Sequence, residues 1–237
     1  MKHLKEIIKK LISLIPLEII DIYLMSRFRY SPLSFSQHGE DMILIDLLHR
    51  KKNGFYVDIG AHHPTIFSNT YLFYRMGWRG INIDSAPDSM KAFRRQRSRD
   101  KNLEMGVAAK DRMMEYFMFD KTALNTFSSQ RVSRLKEMGH VVKAVTKIHA
   151  SPLKNILEAN LPKNSHIDFM TVDVENLDLE VLQSNDWNMF RPDVVAVEDY
   201  DFDFENVYGS EICGFMKSKG YRLKAVSMKT IFFDNRT

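Results

Sequence analysis

Asp58 and Gly60 close a short apolar run, Gly54-Phe55-Tyr56-Val57-Asp58-Ile59-Gly60-Ala61-His62, and Asp84 closes a second, Ile81-Asn82-Ile83-Asp84. A glycine at such an end lets a ligand approach the backbone, and a carboxylate at the end of the next strand accepts both hydroxyl protons of a ribose. This is nucleoside-binding chemistry. Dinucleotide sites share the second carboxylate but need Gly-x-Gly-x-x-Gly after the first strand to cradle a pyrophosphate. Here the residues are Asp58-Ile59-Gly60-Ala61-His62-His63-Pro64, which supply no such cradle. A ligand with a ribose and no pyrophosphate fits better, and S-adenosylmethionine is the obvious one.

Two further apolar runs end in acids. Ile167 to Asp173 is followed by Val174-Glu175, and the Val-rich stretch Asp193 to Val197 is followed by Glu198-Asp199. A single acid at a strand end says little, because aspartate is a common helix cap. Four such ends in one chain point to a shared crevice, since ligands of open α/β sheets sit outside the carboxyl ends of the strands. His62, His63, His140 and His149 are further candidate bases, although a loop histidine more often simply faces solvent.

The elements that must position these groups follow from periodicity and punctuation. Ser36-Gln37-His38-Gly39-Glu40-Asp41 precedes a helix over Met42 to Leu48, with acids suited to its first turn. The first two strands are joined by a crossover from Ser68 to Gly77, and Pro87 to Arg97 reads as a helix. Strands are expected at Leu103 to Ala108, Met114 to Phe119 and Val141 to Ile148, with a mobile polar loop at Asp120 to Ser129. Helices follow at Pro152 to Ala159, Leu177 to Gln183 and Glu205 to Lys219, the last stopped by Gly220. Tyr221 to Val226 and Thr230 to Phe233 make a terminal antiparallel pair. The alternation predicts an α/β, doubly wound Rossmann-like fold with a mostly parallel sheet, and no internal repeat or second domain.

Composition bounds the rest. The 237 residues, 44% of them hydrophobic, suffice for one sizeable core, giving a domain over residues 30–237 behind an N-terminal extension, residues 1–29. The net charge of +4 is concentrated in Lys2 to Lys10, Arg94 to Lys101 and Arg131 to Lys147. Such runs are usually solvated helix faces; a surface facing anionic lipid or glycan is the functional alternative. No basic motif interleaved with aromatics suggests nucleic acid. The lone Cys213 excludes an intramolecular disulfide and a Cys-rich zinc site, and fits a reducing, cytoplasmic compartment. Within residues 2–25, Leu and Ile recur at helical spacing opposite Lys5, Lys9 and Lys10, while Pro16, Glu18 and Asp21 interrupt any membrane span. An amphipathic helix on the inner face of the membrane is expected, with packing against the domain or a second subunit of a homo-oligomer as the alternative.

Taken in order, Ser36-Gln37-x-Gly39-Glu40-Asp41, Tyr56-Val57-Asp58-Ile59-Gly60-Ala61, Ile167-Asp168-Phe169-x-x-Val172-Asp173-Val174-Glu175 with Leu179-Glu180-Val181-Leu182, and Arg191-Pro192-x-Val194-x-x-Val197-Glu198 resemble the FkbM-type methyltransferases. The resemblance runs from about Phe35 to Phe233 and implies a class I fold using S-adenosylmethionine. It places Gln37, Glu40, Asp58, Gly60, Ala61 and Asp84 at the cofactor, and implies, more loosely, a hydroxyl of a sugar or polyketide as acceptor. Two residues depart from the pattern: His62 replaces a small residue or Asn, and Asn176 stands where Gly commonly follows Asp-Val-Glu.

An alcohol must shed a proton to become a good nucleophile, which makes Asp173 and Glu175 the catalytic candidates. Asp173, Glu198 and Asp199 are also a candidate set of hard oxygen ligands for Mg²⁺, which would hold a vicinal sugar diol and acidify one hydroxyl. The alternative is that Glu198 or Asp199 orders a loop and one carboxylate alone serves as base. The acceptor expected is a sugar of a surface glycan or its lipid-linked precursor. A polyketide, lipid or small metabolite, and a non-catalytic membrane-associated scaffold, are the competing readings.

Overall fold

The structure, a computed structural model, describes residues 33–236. The chain divides into two compact units, Met1–Ser34 and Phe35–Thr237. The amphipathic helix expected within residues 2–25 lies outside the described residues. Among the described residues no helix is long and apolar enough to cross a membrane.

In chain order the second unit contains α1 (Glu40–Leu47), β1 (Phe55–Ile59), α2 (Tyr71–Arg75), β2 (Arg79–Asp84), α3 (Ser89–Gln96), β3 (Lys101–Glu104), β4 (Gly106–Val107), β5 (Arg112–Phe119), α4 (Ser129–Glu137), β6 (Val142–Ser151), α5 (Leu153–Asn160), β7 (Phe169–Val172), α6 (Asp178–Gln183), β8 (Val194–Glu198), α7 (Glu211–Ser218), β9 (Arg222–Ser227) and β10 (Thr230–Asp234). The main sheet has the order β3-β2-β1-β7-β8-β10-β9. Its first five strands are parallel, and β10 runs antiparallel to both β8 and β9. The Rossmann-like alternation and the terminal antiparallel pair are therefore as the sequence predicts.

Side chains alternate across the sheet, so each strand feeds two cores. Val57, Ile59, Ile81, Ile83, Met170, Val172, Val195 and Val197 pack with α5, α6 and α7 through Leu153, Leu157, Val181, Leu182 and Met216. On the opposite face Tyr56, Phe169, Val194, Ala196 and Phe232 pack with Leu44 and Leu48 of the α1 region, Phe73 of α2 and Trp78. Phe73, Trp78 and Phe169 form an aromatic knot with centroid separations of 5.0, 4.6 and 5.9 Å. Full burial of each large apolar side chain contributes about 1.5–3 kcal/mol, so the two faces together fix the strand register.

Two expectations are corrected, and one helix is added after the polar loop. The strand expected over Leu103 to Ala108 breaks at Met105, whose N–H donates to the Asp84 carbonyl at 3.0 Å. Only β3 joins the main sheet, while β4 joins β6 and β5 in a separate three-stranded sheet. The polar segment after β5 holds a 3₁₀ turn at Thr122–Leu124 and leads into α4, started by the Ser128 side chain accepting from Arg131 N at 3.2 Å. The helix expected from Glu205 begins only at Glu211, where the Ser210 hydroxyl accepts from Cys213 N at 3.0 Å.

Candidate active site

The strand order reverses between β1 and β7, so the crevice opens where Asp58, Gly60 and Asp173 meet. Gly60 has φ 84°, and a Cβ there would collide with the Asp173 backbone carbonyl. The tight β1 turn thus needs glycine both for its conformation and for the approach of the chain leaving β7. A cavity of about 720 Å³ lies above these strand ends. Gln37, Glu40, Asp58, Gly60, Ala61, Asp84, Asp173, Glu175 and Glu198 all line it. Nine of the ten predicted site residues are therefore brought together; the tenth, Asp199, is not among them.

Asp84 is buried, and its two oxygens accept from His62 N at 2.9 Å and Ala86 N at 2.8 Å. It ties the loops after β1 and β2 together, while a carboxylate with about four lone-pair sites keeps capacity for ribose hydroxyls. Burial raises its pKa and these N–H bonds oppose the rise. Asp58 accepts from Thr70 Oγ1 at 2.6 Å, and burial raises its pKa to about 6. Glu40, buried in the first turn of α1, accepts from His38 N at 2.7 Å. Ile83, Met105 and Val107 supply an apolar wall beside Asp84, suited to a purine. The residues present fit S-adenosylmethionine: a carboxylate for the ribose, an apolar wall for the base and buried acids facing its positive centres.

The other half of the cavity is a charged cluster. Asp173 is exposed, but to the cavity and not to open solvent, and desolvation raises its pKa. Glu198 lines the same cavity; desolvation first, then the Asp173 charge, push Glu198 up to about 9. Glu198 Oε2 is buried without a hydrogen-bond partner. Desolvation and Asp173 likewise raise Glu175 to about 7. Arg131 of α4 pairs with Glu175, donates to Asn176 Oδ1 at 2.9 Å, and lies 5.0 Å from the Tyr200 ring centre. The Tyr200 hydroxyl donates to Glu175 at 3.2 Å, and Lys229 Nζ sits 3.6 Å from the Tyr200 ring centre.

Both departures from the family pattern are accommodated. His62, Glu175 and Asn176 have φ of 51°, 58° and 76°, in the left-handed region. Asparagine tolerates this conformation better than most residues, and at 176 its side chain also holds Arg131. Phe67 and Met228, at φ 54° and 53°, also line the cavity with exposed side chains. Backbone strain of this kind gathers at ligand sites.

Asp199, expected as a metal ligand, does not line the cavity. Its oxygens accept from Asp201 N at 3.0 Å and from Ser210 Oγ at 2.6 Å, which sets the cap of α7. Among the described residues the only His, Cys, Asp or Glu group with converging ligand atoms is His166, Asp168 and Asp193, at the amino ends of β7 and β8. Asp173, Glu198 and Asp199 are therefore not brought together as three ligands in this structure. Asp199→Ala is expected to lower stability by about 1–3 kcal/mol, the cost of an orphaned buried donor and a weakened cap, while transfer per folded molecule persists. Thermal melts and rates normalised to folded protein check this. Loss of transfer at full stability would return Asp199 to the site.

Residues 58–223 match the methyltransferase FkbM domain. The chain belongs to the FkbM methyltransferase family. It is accordingly an S-adenosylmethionine-dependent methyltransferase, and the matched segment runs from the end of β1 to the start of β9, including Asp173, Glu175 and Glu198. Two solved structures are similar to this FkbM methyltransferase. One is a precorrin-6y C5,15-methyltransferase from Geobacter metallireducens GS-15, 10% identical with TM-score 0.43, covering 81% of this chain and 84% of its own. The other is a TehB-like SAM-dependent methyltransferase from Corynebacterium glutamicum ATCC 13032 Kitasato, 9% identical with TM-score 0.42, covering 92% and 97%. No curated protein sequence matches the chain.

Sequence reasoning missed Arg131, Tyr200, Lys229 and Thr70. Arg131 lay inside a basic run read as solvated surface, and Tyr200 directly follows the Glu198-Asp199 pair that was singled out. Neither carried a spacing that distinguishes a site residue from a surface one.

Proposed function

We propose that this methyltransferase transfers a methyl group to a hydroxyl of a sugar, in a surface glycan or its lipid-linked precursor. The observation that carries the reading is the pair of carboxyl groups Asp173 and Glu198, both raised in pKa by desolvation and both lining the cavity beside the cofactor crevice. Bound S-adenosylmethionine supplies an activated methyl on its sulfonium. The chain must then align the acceptor oxygen and receive its proton. Glu198, pushed up to about 9, keeps its proton through neutral pH and so places no negative charge against Asp173, the carboxyl offered to the acceptor. With S-adenosylmethionine bound, Asp173 Oδ would receive the acceptor hydroxyl proton as the methyl group is transferred. Glu175, Tyr200, Arg131 and Lys229 offer the dense set of donors and acceptors that a polyhydroxyl ring requires.

Phe67 and Met228 favour a carrier-linked sugar over a free one, because exposed apolar side chains at a cavity wall match an apolar portion of the ligand. The test is methyl incorporation from labelled S-adenosylmethionine into nucleotide sugars, oligosaccharides and alkyl glycosides, beside phenols and small alcohols. Glycosides, and alkyl glycosides most, are the expected acceptors. Incorporation confined to phenols or small alcohols would overturn the sugar reading.

A further inference from the structure

A second set of buried polar groups lies beneath the cofactor side of the cavity. Arg97, at the end of α3, is wholly buried, as is Thr70 just before α2. The Arg97 guanidinium donates to Asp100 at 2.9 Å, to the Pro64 carbonyl at 3.0 Å, and to Tyr56 Oη at 2.6 Å. It also donates to Thr70 Oγ1 at 3.1 Å and to Asn82 Oδ1 at 3.3 Å. Arginine only donates, so Thr70 Oγ1 must accept from it. Thr70 has a single hydroxyl proton, and with its oxygen accepting, that proton is free to point at Asp58 Oδ2, 2.6 Å away. The distance is that of a hydrogen bond to an ionised acceptor. Ser68 Oγ, 3.4 Å from Thr70 Oγ1, accepts from Tyr71 N and so has its own proton available for Thr70.

We propose that Arg97, Thr70 and Asp58 form a one-way hydrogen-bond relay that fixes the Asp58 carboxylate on the cavity wall, making Thr70 and Arg97 positioning residues for S-adenosylmethionine. Neither touches the cavity; each acts through Asp58. The relay rests on the reading of Asp58 as a cofactor-side acid. A ligand with a sulfonium and an ammonium centre binds an ionised carboxylate better than a neutral one. Burial works against that state, and the Thr70 hydrogen bond and the Arg97 charge are the two groups that favour it. The other charges acting on Asp58 are Asp173 and Asp100, which both oppose ionisation. His62, His63 and Asp84 line the same cavity.

The sign follows. Cofactor affinity should be level above about 6, the value to which Asp58 is raised, and should fall as pH drops through it. Removing the Thr70 donor moves that fall upward by about one pH unit, because a hydrogen bond to the charged form is what lowers the value.

The experiment is calorimetric binding of S-adenosylmethionine to the full chain between about pH 5 and about pH 8, a range in which a shifted carboxylate and histidine both titrate. Thr70→Val, shape-conserving and without a hydroxyl, should bind several-fold more weakly near neutrality and show the displaced fall. Thr70→Ala carries the same expectation if the valine variant does not fold. Thr70→Ser should restore the original profile, and Asp58→Asn should bind weakly with no fall at all. A purely structural role for Thr70 would lower the melting temperature and leave the profile in place. The relay is overturned if Thr70→Val or Thr70→Ala keeps the original midpoint, if Thr70→Ser shifts as far as they do, or if the fall persists in Asp58→Asn. The readout is cofactor binding alone, so a wrong acceptor assignment leaves it untouched.

Discussion

Asp173→Asn is expected to cut methyl transfer by about 10²- to 10⁴-fold, the usual contribution of a positioned base, while cofactor affinity changes far less. An amide cannot take the acceptor proton, and its NH₂ would face the proton that Glu198 holds. The same substitution is expected to raise the melting temperature at neutral pH. Asp173, Glu175 and Glu198 all bind protons more tightly folded than unfolded, Glu175 at about 7 and Glu198 at about 9. Where the folded state holds more protons, stability falls as pH rises, so the cluster destabilises the fold from the ordinary carboxylate range upward. Removing the central charge relieves its neighbours. Activity lost with stability gained is the mark of a functional site rather than a structural one. Initial rates at saturating acceptor, calorimetry and thermal melts separate the terms. Wild-type rates in Asp173→Asn would exclude it as base. The wild-type rate should itself fall as pH drops through a value above the normal carboxylate range, because transfer needs Asp173 ionised.

The order of elements was legible because each buried strand combines β-branched residues with an acid or glycine at its end. Val57-Asp58-Ile59-Gly60 and Val194 to Glu198 advertise both their burial and their carboxyl ends. The four acids converge in the structure because parallel strands all deliver their carboxyl ends to one edge. That is a consequence of topology, and topology follows from the alternation. What stayed hidden depends on contacts distant in sequence. Arg131 reaches Glu175 and Tyr200 only because α4 lies over the crevice, and α4 itself shows just two buried apolar residues, Val132 and Leu135. The separate three-stranded sheet was hidden for the same reason: β6 alternates like any strand, and nothing in it names β4 and β5 as partners. Asp199 misled because adjacent acids read alike in sequence. At the end of β8 they diverge: Glu198, the last strand residue, lines the cavity, while Asp199, just beyond it, accepts from the Ser210 hydroxyl that caps α7.

Asp84→Ala is expected to weaken S-adenosylmethionine binding by about 10²-fold or more, since two hydrogen bonds to a charged acceptor are together worth about 3 kcal/mol or more. The loss has two parts. If Asp84 holds the ribose, the ligand loses both hydroxyl bonds directly. Whether or not it does, the N–H groups of His62 and Ala86 lose their acceptor. They belong to the turns after β1 and β2, and His62 holds a left-handed backbone that the Asp84 bond helps to fix. The crevice would then loosen on the side where the cofactor enters, and the melting temperature would fall. Asp84→Asn divides the two parts. Its remaining carbonyl can still accept from one turn, so the fold recovers partly, but it lacks the charge that strengthens a ribose bond. An asparagine variant that melts close to wild type yet binds the cofactor as poorly as the alanine variant would show direct contact. One that recovers both would make Asp84 a brace for the two turns, and an unchanged dissociation constant in Asp84→Ala would remove it from the cofactor site.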